Sequence, residues 1–130
     1  MNRKTQFEAG RKSASNRLSN TLDVKRARVV RCIRALPAGT VSSYGAIARA
    51  AGWPGAARQV VRVLQQVPGL PWHRVLGSGG AIKLGGENAA EQKFRLRMEG
   101  VTFRGARVDM KKHEFHFAKG KSLRRGRSKS

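Results

Sequence analysis

Residues 69–75 read Gly-Leu-Pro-Trp-His-Arg-Val and set one of the chain's two tryptophans beside a histidine and an arginine. A proline before the tryptophan restricts the backbone at this point. A large aromatic ring, a titratable ring and a cation side by side suit the lining of a pocket for a flat, polar ligand. The alternative is that Trp72 belongs to the core and that His73 is bonded to a main-chain carbonyl. The stretch alone leaves both interpretations open.

Two short helical patterns precede this stretch and together predict a helix-turn-helix. The first, at 42–51, has Ser42 as a good N-cap, and the second covers residues 56–65. A tight turn that contains glycine separates them, as in the helix pairs that place a recognition helix on DNA. The pattern alone is a weak signal, because any small helical hairpin shares it.

The start of the second helix favours contact with phosphate. It opens on Gly55, Ala56 and Ala57, whose small side chains would let backbone N–H groups approach a phosphate at the positive end of the helix. Arg58 follows at once, and Arg62 lies one turn further on. The alternative is that Arg58 is an ordinary solvated charge. These residues are the first candidates for a DNA-binding surface.

A longer helix is predicted at 22–36, ahead of the helix pair. Its apolar residues form one stripe that begins at Leu22, and Asn20 or Thr21 is the predicted N-cap. Cys32 lies within this helix, away from the tryptophan stretch. We interpret it as an ordinary small helix residue and not as a reactive thiol.

The elements after the tryptophan stretch are shorter. Residues 75–76 and 81–84 flank a glycine-rich turn and predict a short hairpin. Asn88 is the predicted N-cap of a last helix, which ends at Gly100. The apolar residues of that helix are Phe94, Leu96 and Met98. The predicted fold class is therefore mainly α with a small β-hairpin: a winged-helix-like helix-turn-helix domain with flexible basic tails.

The charge of the chain is extreme and uneven. It contains 28 Lys and Arg against 7 Asp and Glu, a formal net charge of +21, so its natural partner is a polyanion, nucleic acid before an anionic membrane. Residues 1–20 and 119–130 carry many cations and little apolar surface, and we expect flexible arms that add non-specific phosphate affinity. The predicted organisation is a basic arm at 1–20, a domain at 21–110 and a basic tail at 111–130, whose first aromatic residues pack onto the domain.

Several classes of protein are disfavoured by the composition. The chain has no apolar run of about 18 residues, and no apolar signal core follows its basic N-terminus, so neither membrane insertion nor secretion is expected. A single cysteine excludes an internal disulfide, and one cysteine with three histidines argues against a metal site. We expect a DNA-associated protein of the cytoplasm, or of the nucleus in a eukaryote, without a cofactor.

Four segments, in the same order along the chain, resemble the DNA-binding domain of the O6-alkylguanine-DNA alkyltransferases. Pro71-Trp72-His73-Arg74-Val75 is similar to their active-site motif Pro-Cys-His-Arg-Val, with tryptophan at the position of the alkyl-accepting cysteine. Residues 41–48, 55–58 and 97–101 match the segments that carry the family's tyrosine, its arginine finger and its glutamate. The resemblance covers about 22–105 and is to the alkyltransferase-like proteins, which keep Pro-Trp-His-Arg-Val.

The resemblance implies a reader of alkylated guanine without transfer chemistry, because an indole cannot replace a thiolate nucleophile. It implies that the helix-turn-helix docks in the minor groove of DNA. Arg58 would enter the base stack in place of a base that has rotated out, and Tyr44 would crowd the 3′ phosphate of that nucleotide. The flipped base would enter a pocket bounded by Trp72 and by the loop at 75–86.

The remaining implied roles concern the wall of this pocket and the partners. His73 and Glu99 would form a hydrogen-bond pair that holds the wall, and Arg74 would brace the loop. Lys83 lies in the loop and would bias which alkylated bases are accepted. The implied partner is duplex DNA that contains O6-alkylguanine, bound by a monomer that hands the lesion to nucleotide excision repair proteins.

Two other functions remain open. A general basic DNA-binding or nucleoid protein would bind damaged and undamaged duplex equally, through its arms. An active alkyltransferase with an unexpected nucleophile would transfer label from alkylated DNA to the protein, and removal of Cys32 is the direct control.

Overall fold

A computed structural model describes residues 13–118, with side chains from residue 21 onward. The helices are α1 (Ser13–Arg34), α2 (Tyr44–Ala50), α3 (Ala57–Gln66), α4 (Gly86–Met98) and α5 (Met110–His113). The strands are β1 (Ser42–Ser43), β2 (Val75–Leu76), β3 (Phe103–Arg104) and β4 (Arg107–Val108), with 3₁₀ turns at Trp72–Arg74 and Ser78–Gly80. A mainly helical domain with small strand pairs confirms the predicted fold class. Within the described part of the chain, no helix combines the length and apolar character that a membrane crossing requires.

The first helix begins earlier than predicted. It starts at Ser13, so Asn20 and Thr21 lie inside it and do not cap it. The polar segment 13–20 contains little apolar periodicity, and spacing therefore gave no sign of a helix there. Residues 13–20 of the predicted arm are thus helical, and its first part, 1–12, lies outside the described residues. The flexibility of the arm stays a prediction.

The second half of α1 supplies one wall of the larger core cluster. Val29, Ile33 and Leu36, which follows the helix, are each at most 1% exposed and pack with α2 and α3. Leu22 was predicted to begin the same stripe, but half of its surface is exposed. The two partner helices therefore cover the half of α1 that contains Val29 and Ile33.

The predicted helix-turn-helix is present as α2 and α3. The N-cap of α2 is Ser43, one residue later than predicted, and its Oγ accepts a hydrogen bond from the N–H of Ala46 at 3.1 Å. The predicted cap, Ser42, lies in β1 and is fully buried. The two helices bury small and branched apolar residues against α1, which fixes the exposed side of α3. Those residues are Ile47, Ala48, Ala51, Val60 and Val63.

The short hairpin predicted around the glycine-rich turn is wrong. Val75–Leu76 pairs in parallel with Ser42–Ser43 and not with residues 81–84. The N–H of Gly77 donates to the carbonyl of Ala81 at 2.8 Å, so the turn does close. The strand pattern was thus recognisable at 75–76, but its partner lies far back in the sequence, before α2.

A hairpin does occur near the end of the domain, where β3 and β4 pair in an antiparallel manner. Ala81 bridges to Arg107 at its edge. Gly80 makes this approach possible: its φ is 86°, and a Cβ there would lie 2.5 Å from the carbonyl oxygen of Val108. The glycine-rich turn therefore packs on β4 and does not lead back along β2.

The last long helix, α4, begins before the predicted cap. Gly85 is the N-cap, without a side-chain hydrogen bond, and Asn88 lies in the first turn. The predicted stop is confirmed: the N–H of Gly100 donates to the carbonyl of Arg97 at 3.0 Å, and Gly100 has a φ of 87°.

The inner face of α4 also differs from the apolar pattern. Leu96 is fully buried, together with Gln92 at 1% exposure. Of the other apolar residues of this helix, Phe94 and Met98 are 59% and 71% exposed, so neither belongs to the packed face. The helix has a mixed pattern because a glutamine takes a core position and two apolar residues lie on the surface.

The chain continues to pack beyond the predicted domain boundary at 110. Val41 donates its N–H to the carbonyl of His113 and accepts the N–H of Phe115, at 3.0 and 2.8 Å. The rings of Phe115 and Phe117 lie edge to face, 5.0 Å apart, against the larger core cluster. The predicted packing of this aromatic segment onto the domain is confirmed, and residues 119–130 of the predicted tail lie outside the described residues.

Candidate nucleic-acid interface

A cavity of about 310 Å³ opens between the helix-turn-helix and the start of α4. It brings together the two aromatic residues that were predicted to act on one nucleotide, Tyr44 and Trp72. The other lining residues are Val61, Leu64, Gln65, Leu84 and Asn88. Cavities of about 450 and 560 Å³ lie beside Phe117, but they contain no predicted site residue.

The 3₁₀ turn at Trp72–Arg74 directs the tryptophan to the cavity. Pro71 precedes the turn with a φ of −76°, and its carbonyl accepts the N–H of Arg74 at 3.1 Å. Trp72 is half-buried and belongs to neither core cluster, so the alternative of a core tryptophan is not supported. The ring of His73 lies edge to face with it at 6.2 Å and is itself buried.

Glu99, just after α4, ties the motif to two other parts of the fold. Its carboxylate binds Arg74 through contacts of 2.6 to 3.2 Å and His73 Nε2 at 2.8 Å. It also accepts the N–H of Gly39 at 3.0 Å, and Arg74 donates to the carbonyl of Leu36 at 2.9 Å. The predicted contact between His73 and Glu99 is confirmed, and His73 therefore bonds a carboxylate and not a main-chain carbonyl.

The surroundings of Glu99 shift its ionisation. Burial alone would raise its pKa, but hydrogen bonds from Arg74, from the N–H of Gly39 and from His73, with the attraction of the His73 charge, outweigh burial. Together they lower the pKa from 4.5 to about 2. The carboxylate is therefore ionised at neutral pH, and it can hold both basic side chains of the motif at once.

The stability of the domain is expected to fall as the pH drops below the ordinary range of a glutamate. Because the folded-state pKa of Glu99 lies below the unfolded one, its contribution is present above about pH 4.5 and is lost as the pH approaches 2. The difference corresponds to roughly 3 kcal/mol of unfolding free energy. Urea titrations across this pH range measure it, and Glu99→Gln is the control. An equally steep loss of stability in Glu99→Gln would contradict the assignment.

Gln92 is a structural part of the site that the sequence reasoning missed. Its Nε2 donates to the carbonyls of His73 and Val75 at 3.2 and 3.1 Å. These two bonds fix the backbone on either side of Arg74 against α4. The available signal was its position four residues before Leu96, which places both side chains on one face of the helix.

Arg58 lies outside the cavity and is exposed on α3. Val61 and Gln65, which line the cavity, follow it by three and seven residues and therefore share its side of the helix. With a rise of 1.5 Å per residue, Arg58 lies about 10 Å along the axis from Gln65. Helix α3 thus presents a cation near its start and one wall of the cavity near its end, on the same face.

The small residues before Arg58 have separate structural causes. Ala56 is 3% exposed and packs in the core, and its N–H donates to the carbonyl of Trp53 at 3.2 Å. Gly55 is exposed with a φ of 82°, which favours glycine, and a Cβ there would meet no described atom within 4 Å. Ala57 opens α3 and is partly exposed. The N–H of Ala56 is therefore already bonded within the turn, and the open side of the helix start belongs to Gly55 and Ala57.

Lys83 is exposed and does not line the cavity, although its neighbour Leu84 does. Its aliphatic part lies against Gly77, where a Cβ would be 2.6 Å from Lys83 Cγ. This contact holds Lys83 over the glycine-rich turn. Its predicted effect on the choice of alkylated base stays a prediction.

Cys32 is poorly placed to act as a nucleophile at this site. It lines the cavity beside Phe117, not the one that contains Trp72. Burial raises the pKa of its thiol, although the charge of Arg31 acts in the opposite direction. A raised pKa reduces the thiolate that alkyl transfer requires.

Comparison with known protein families shows which family the chain belongs to. The sequence model of the 6-O-methylguanine DNA methyltransferase DNA-binding domain matches residues 25–101, more than half of the chain. The chain belongs to this family. Within it, the resemblance to the alkyltransferase-like proteins is confirmed by a relative from Schizosaccharomyces pombe named alkyltransferase-like protein 1, 45% identical over 71 residues, which are 51% of this chain and 66% of the relative.

Other members of the family are similar over more of the chain. A relative from Escherichia coli K12, named DNA base-flipping protein, is 39% identical over 94 residues, 69% of this chain and 73% of the relative. The S. pombe alkyltransferase-like protein, solved with damaged DNA containing O6-carboxymethylguanine, has a TM-score of 0.61 and 33% identity, over 73% of this chain and 97% of that one. OGT from Mycobacterium tuberculosis, solved with DNA, has a TM-score of 0.52 and 34% identity, over 57% of this chain and 48% of OGT.

Proposed function

We propose that the protein recognises O6-alkylguanine in duplex DNA without chemical repair of its own. The α2–α3 unit docks in the minor groove, the alkylated nucleotide rotates out of the stack, and the base is held against Trp72. The observation that carries this proposal is the cavity that joins Tyr44 and Trp72 to the exposed face of α3. The structures of a related protein on damaged DNA and of OGT on DNA support it.

The lining of the cavity fits an alkylated purine. Trp72 offers a broad face for stacking, and stacking of a base on an aromatic ring contributes about 1–3 kcal/mol. Val61, Leu64 and Leu84 provide apolar surface for the alkyl group, which makes the O6 edge of guanine less polar. Flipping opposes binding by a few kcal/mol, and by less for a base whose pairing is already weakened. An apolar cavity of this kind therefore favours the lesion over guanine.

Tyr44 and Arg58 act on the duplex that the base has left. Arg58, exposed near the start of α3, fills the space in the stack and adds a charge contact with the DNA. Burial raises the pKa of the Tyr44 phenol, so the ring stays neutral and does not repel the 3′ phosphate that it crowds. Gly55 and Ala57 keep the start of α3 free of bulk beside the phosphate backbone. Ala56 supports this segment from the core.

The site binds and does not transfer. Trp72 occupies the position at which the resemblance places the alkyl-accepting cysteine, and an indole provides no thiolate. His73 and Glu99 then keep a structural task, since their hydrogen bond and the contacts of Arg74 hold the tryptophan segment on α4 and on the loop after α1. Lys83, on the neighbouring loop, biases the range of alkyl groups accepted.

Recognition alone leaves the lesion in the DNA, so a repair pathway must complete the process. We propose that a monomer of this protein, bound in the cytoplasm or nucleus wherever the DNA lies, presents the lesion to nucleotide excision repair. The basic arms add affinity for the surrounding phosphates. No cofactor is required for any of these steps.

The deciding experiment compares two duplexes that differ at one base, guanine or O6-methylguanine. Binding is measured at one fixed salt concentration, high enough to suppress contacts by the basic arms. We expect at least tenfold tighter binding to the lesion. Equal affinities would overturn lesion recognition and favour a general DNA-binding protein, whereas label transferred from the alkylated duplex to the protein would overturn the binding-only assignment.

Arg58→Ala is expected to reduce the preference for O6-methylguanine by about tenfold, because the space left by the flipped base is no longer filled. Arg62→Ala is a matched control: it removes the same charge one turn later on the same helix and should weaken binding to both duplexes alike. Fluorescence anisotropy titrations of the two variants on both duplexes measure the ratio of affinities. The assignment of Arg58 fails if both variants lower the ratio equally.

A further inference from the structure

Arg95, on α4, contacts the ring of Trp72. The carbon of its guanidinium group lies 5.6 Å from the centroid of the indole. Its Nε donates to the carboxylate of Glu91, one turn earlier, at 2.6 Å. Arg95 does not line the cavity, whereas Trp72 does, so the guanidinium covers the ring from outside the cavity.

We propose that Arg95 is a positioning residue for lesion recognition, which holds the indole of Trp72 in the orientation that receives the flipped base. This inference rests on the proposed function and deepens it. Arg95 acts through Trp72, because it does not itself line the cavity.

The position of Trp72 outside the core gives a support for its ring a physical purpose. Trp72 is half-buried and packs in neither core cluster, and its ring contact with His73 is made edge to face. A side chain in that position has rotamer freedom that must be lost when a base stacks on it. A cation over the ring restricts that freedom in advance, so that less order has to be gained on binding.

The helix supplies the geometry for this support. Asn88 lines the cavity, and Arg95 follows seven residues later, which places both on the same face of α4. Glu91 lies between them and fixes the guanidinium through a charge-assisted hydrogen bond. One face of α4 thus carries both Asn88, a polar residue of the cavity wall, and Arg95, which contacts the ring of Trp72.

A phosphate contact is the competing role for any arginine in a chain with net charge +21. Two observations favour positioning. The guanidinium already pairs with a carboxylate, which reduces its attraction for a phosphate, and it lies over an aromatic ring at a distance typical of cation–π contact. A free phosphate-binding arginine requires neither arrangement.

The chain offers a matched control for the test. Arg97 lies on the same helix, and its guanidinium carbon is 4.9 Å from the ring centroid of Phe103, outside the cavity. Arg97→Ala therefore removes the same charge and the same kind of contact. We expect Arg95→Ala to lower the preference for O6-methylguanine over guanine by about two- to fivefold, with partial rescue in Arg95→Lys, and Arg97→Ala to leave the ratio unchanged.

A second measurement follows the ring in the free protein. With both tryptophans labelled as 5-fluorotryptophan, the ¹⁹F signals of Trp53 and Trp72 report separately, and Trp53 serves as an internal reference. Arg95→Ala should shift and broaden the Trp72 signal and leave that of Trp53 in place, whereas Arg97→Ala should move neither.

The outcomes separate this inference from the proposed function. If the unaltered protein binds the two duplexes equally, the proposed function itself is wrong. A different outcome is that the unaltered protein prefers the lesion while Arg95→Ala and Arg97→Ala each weaken binding to both duplexes by the same factor. In that case Arg95 is a phosphate contact and the inference is wrong. The inference also fails if the Trp72 signal is unchanged in Arg95→Ala.

Discussion

Trp72→Ala is expected to reduce the preference of the protein for O6-methylguanine over guanine by tenfold or more. The indole is the largest flat surface of the cavity, and its loss removes about 1–3 kcal/mol of stacking that a flipped base gains and an unflipped base does not. Competition titrations with the two duplexes at fixed salt measure the ratio. Binding to undamaged duplex should change little, because it depends on phosphate contacts made elsewhere.

Trp72→Phe is the graded control for this prediction. A smaller aromatic ring retains part of the stacking surface, so its ratio of affinities should fall between those of the unaltered protein and Trp72→Ala. If Trp72→Ala binds the lesion as selectively as the unaltered protein, the base is not held on this ring and the proposed pocket is wrong.

Glu99→Ala is expected to lower the free energy of unfolding by about 3 kcal/mol. The substitution leaves Arg74 and His73 in a largely buried position without their carboxylate, and removal of one partner from a buried ion pair typically costs about 3–5 kcal/mol. It also leaves the N–H of Gly39 without its acceptor. Chemical denaturation at neutral pH measures the change.

Glu91→Ala provides the comparison, because it also removes a carboxylate that pairs with an arginine, in this case within α4. That pair is about half exposed on both sides, and exposed pairs contribute less than about 1 kcal/mol. We therefore expect a small loss of stability in Glu91→Ala and a large one in Glu99→Ala. Similar small losses of stability in both variants would show that the contacts of Glu99 with His73 and Arg74 do not stabilise the fold.

The local sequence pattern was sufficient to predict much of the helical part of the fold. The helix-turn-helix was predictable because Val60 and Val63 recur on one side of a short helix after a glycine turn, a relation that depends on neighbouring residues alone. Gly100 was recognised as a stop for the same reason. The start of α4 was missed because Gly85 caps it without a side-chain bond, and Asn88 offers a better cap by chemistry than the one the fold uses.

Contacts between distant segments could not be predicted from pattern. Val75 and Leu76 were recognised as a strand, but their pairing with Ser42 and Ser43 depends on how α2 and α3 fold between them. The apolar residue Phe94 lies on the surface of α4, whereas a buried position belongs to Gln92, which bonds two carbonyls.

The candidate site divides in the same way. Trp72 and Arg58 were singled out by residue type and position, whereas Tyr44 and Glu99 were identified through the resemblance of their segments to a known family. The cavity joins Trp72 and Tyr44. The residues that complete its wall, such as Val61 and Leu84, have no distinguishing chemistry and become recognisable through their position. The contact of Arg95 with Trp72 belongs to this second group, since it depends on the register of α4 against the tryptophan turn.

The backbone hydrogen bonds between Val41 and the segment at 113–115 have a consequence for the order of folding. Val41 and Leu76 belong to the smaller core cluster, which supports the strand that follows Trp72. Contacts between remote parts of a chain close late, because the entropy of the intervening loop is lost before the contact forms. During synthesis, α1 to α3 therefore emerge and can assemble before the segment at 113–115, which pairs with Val41, is available. The helix-turn-helix can therefore form first, and the backbone pairing of Val41 with the segment at 113–115 closes afterwards.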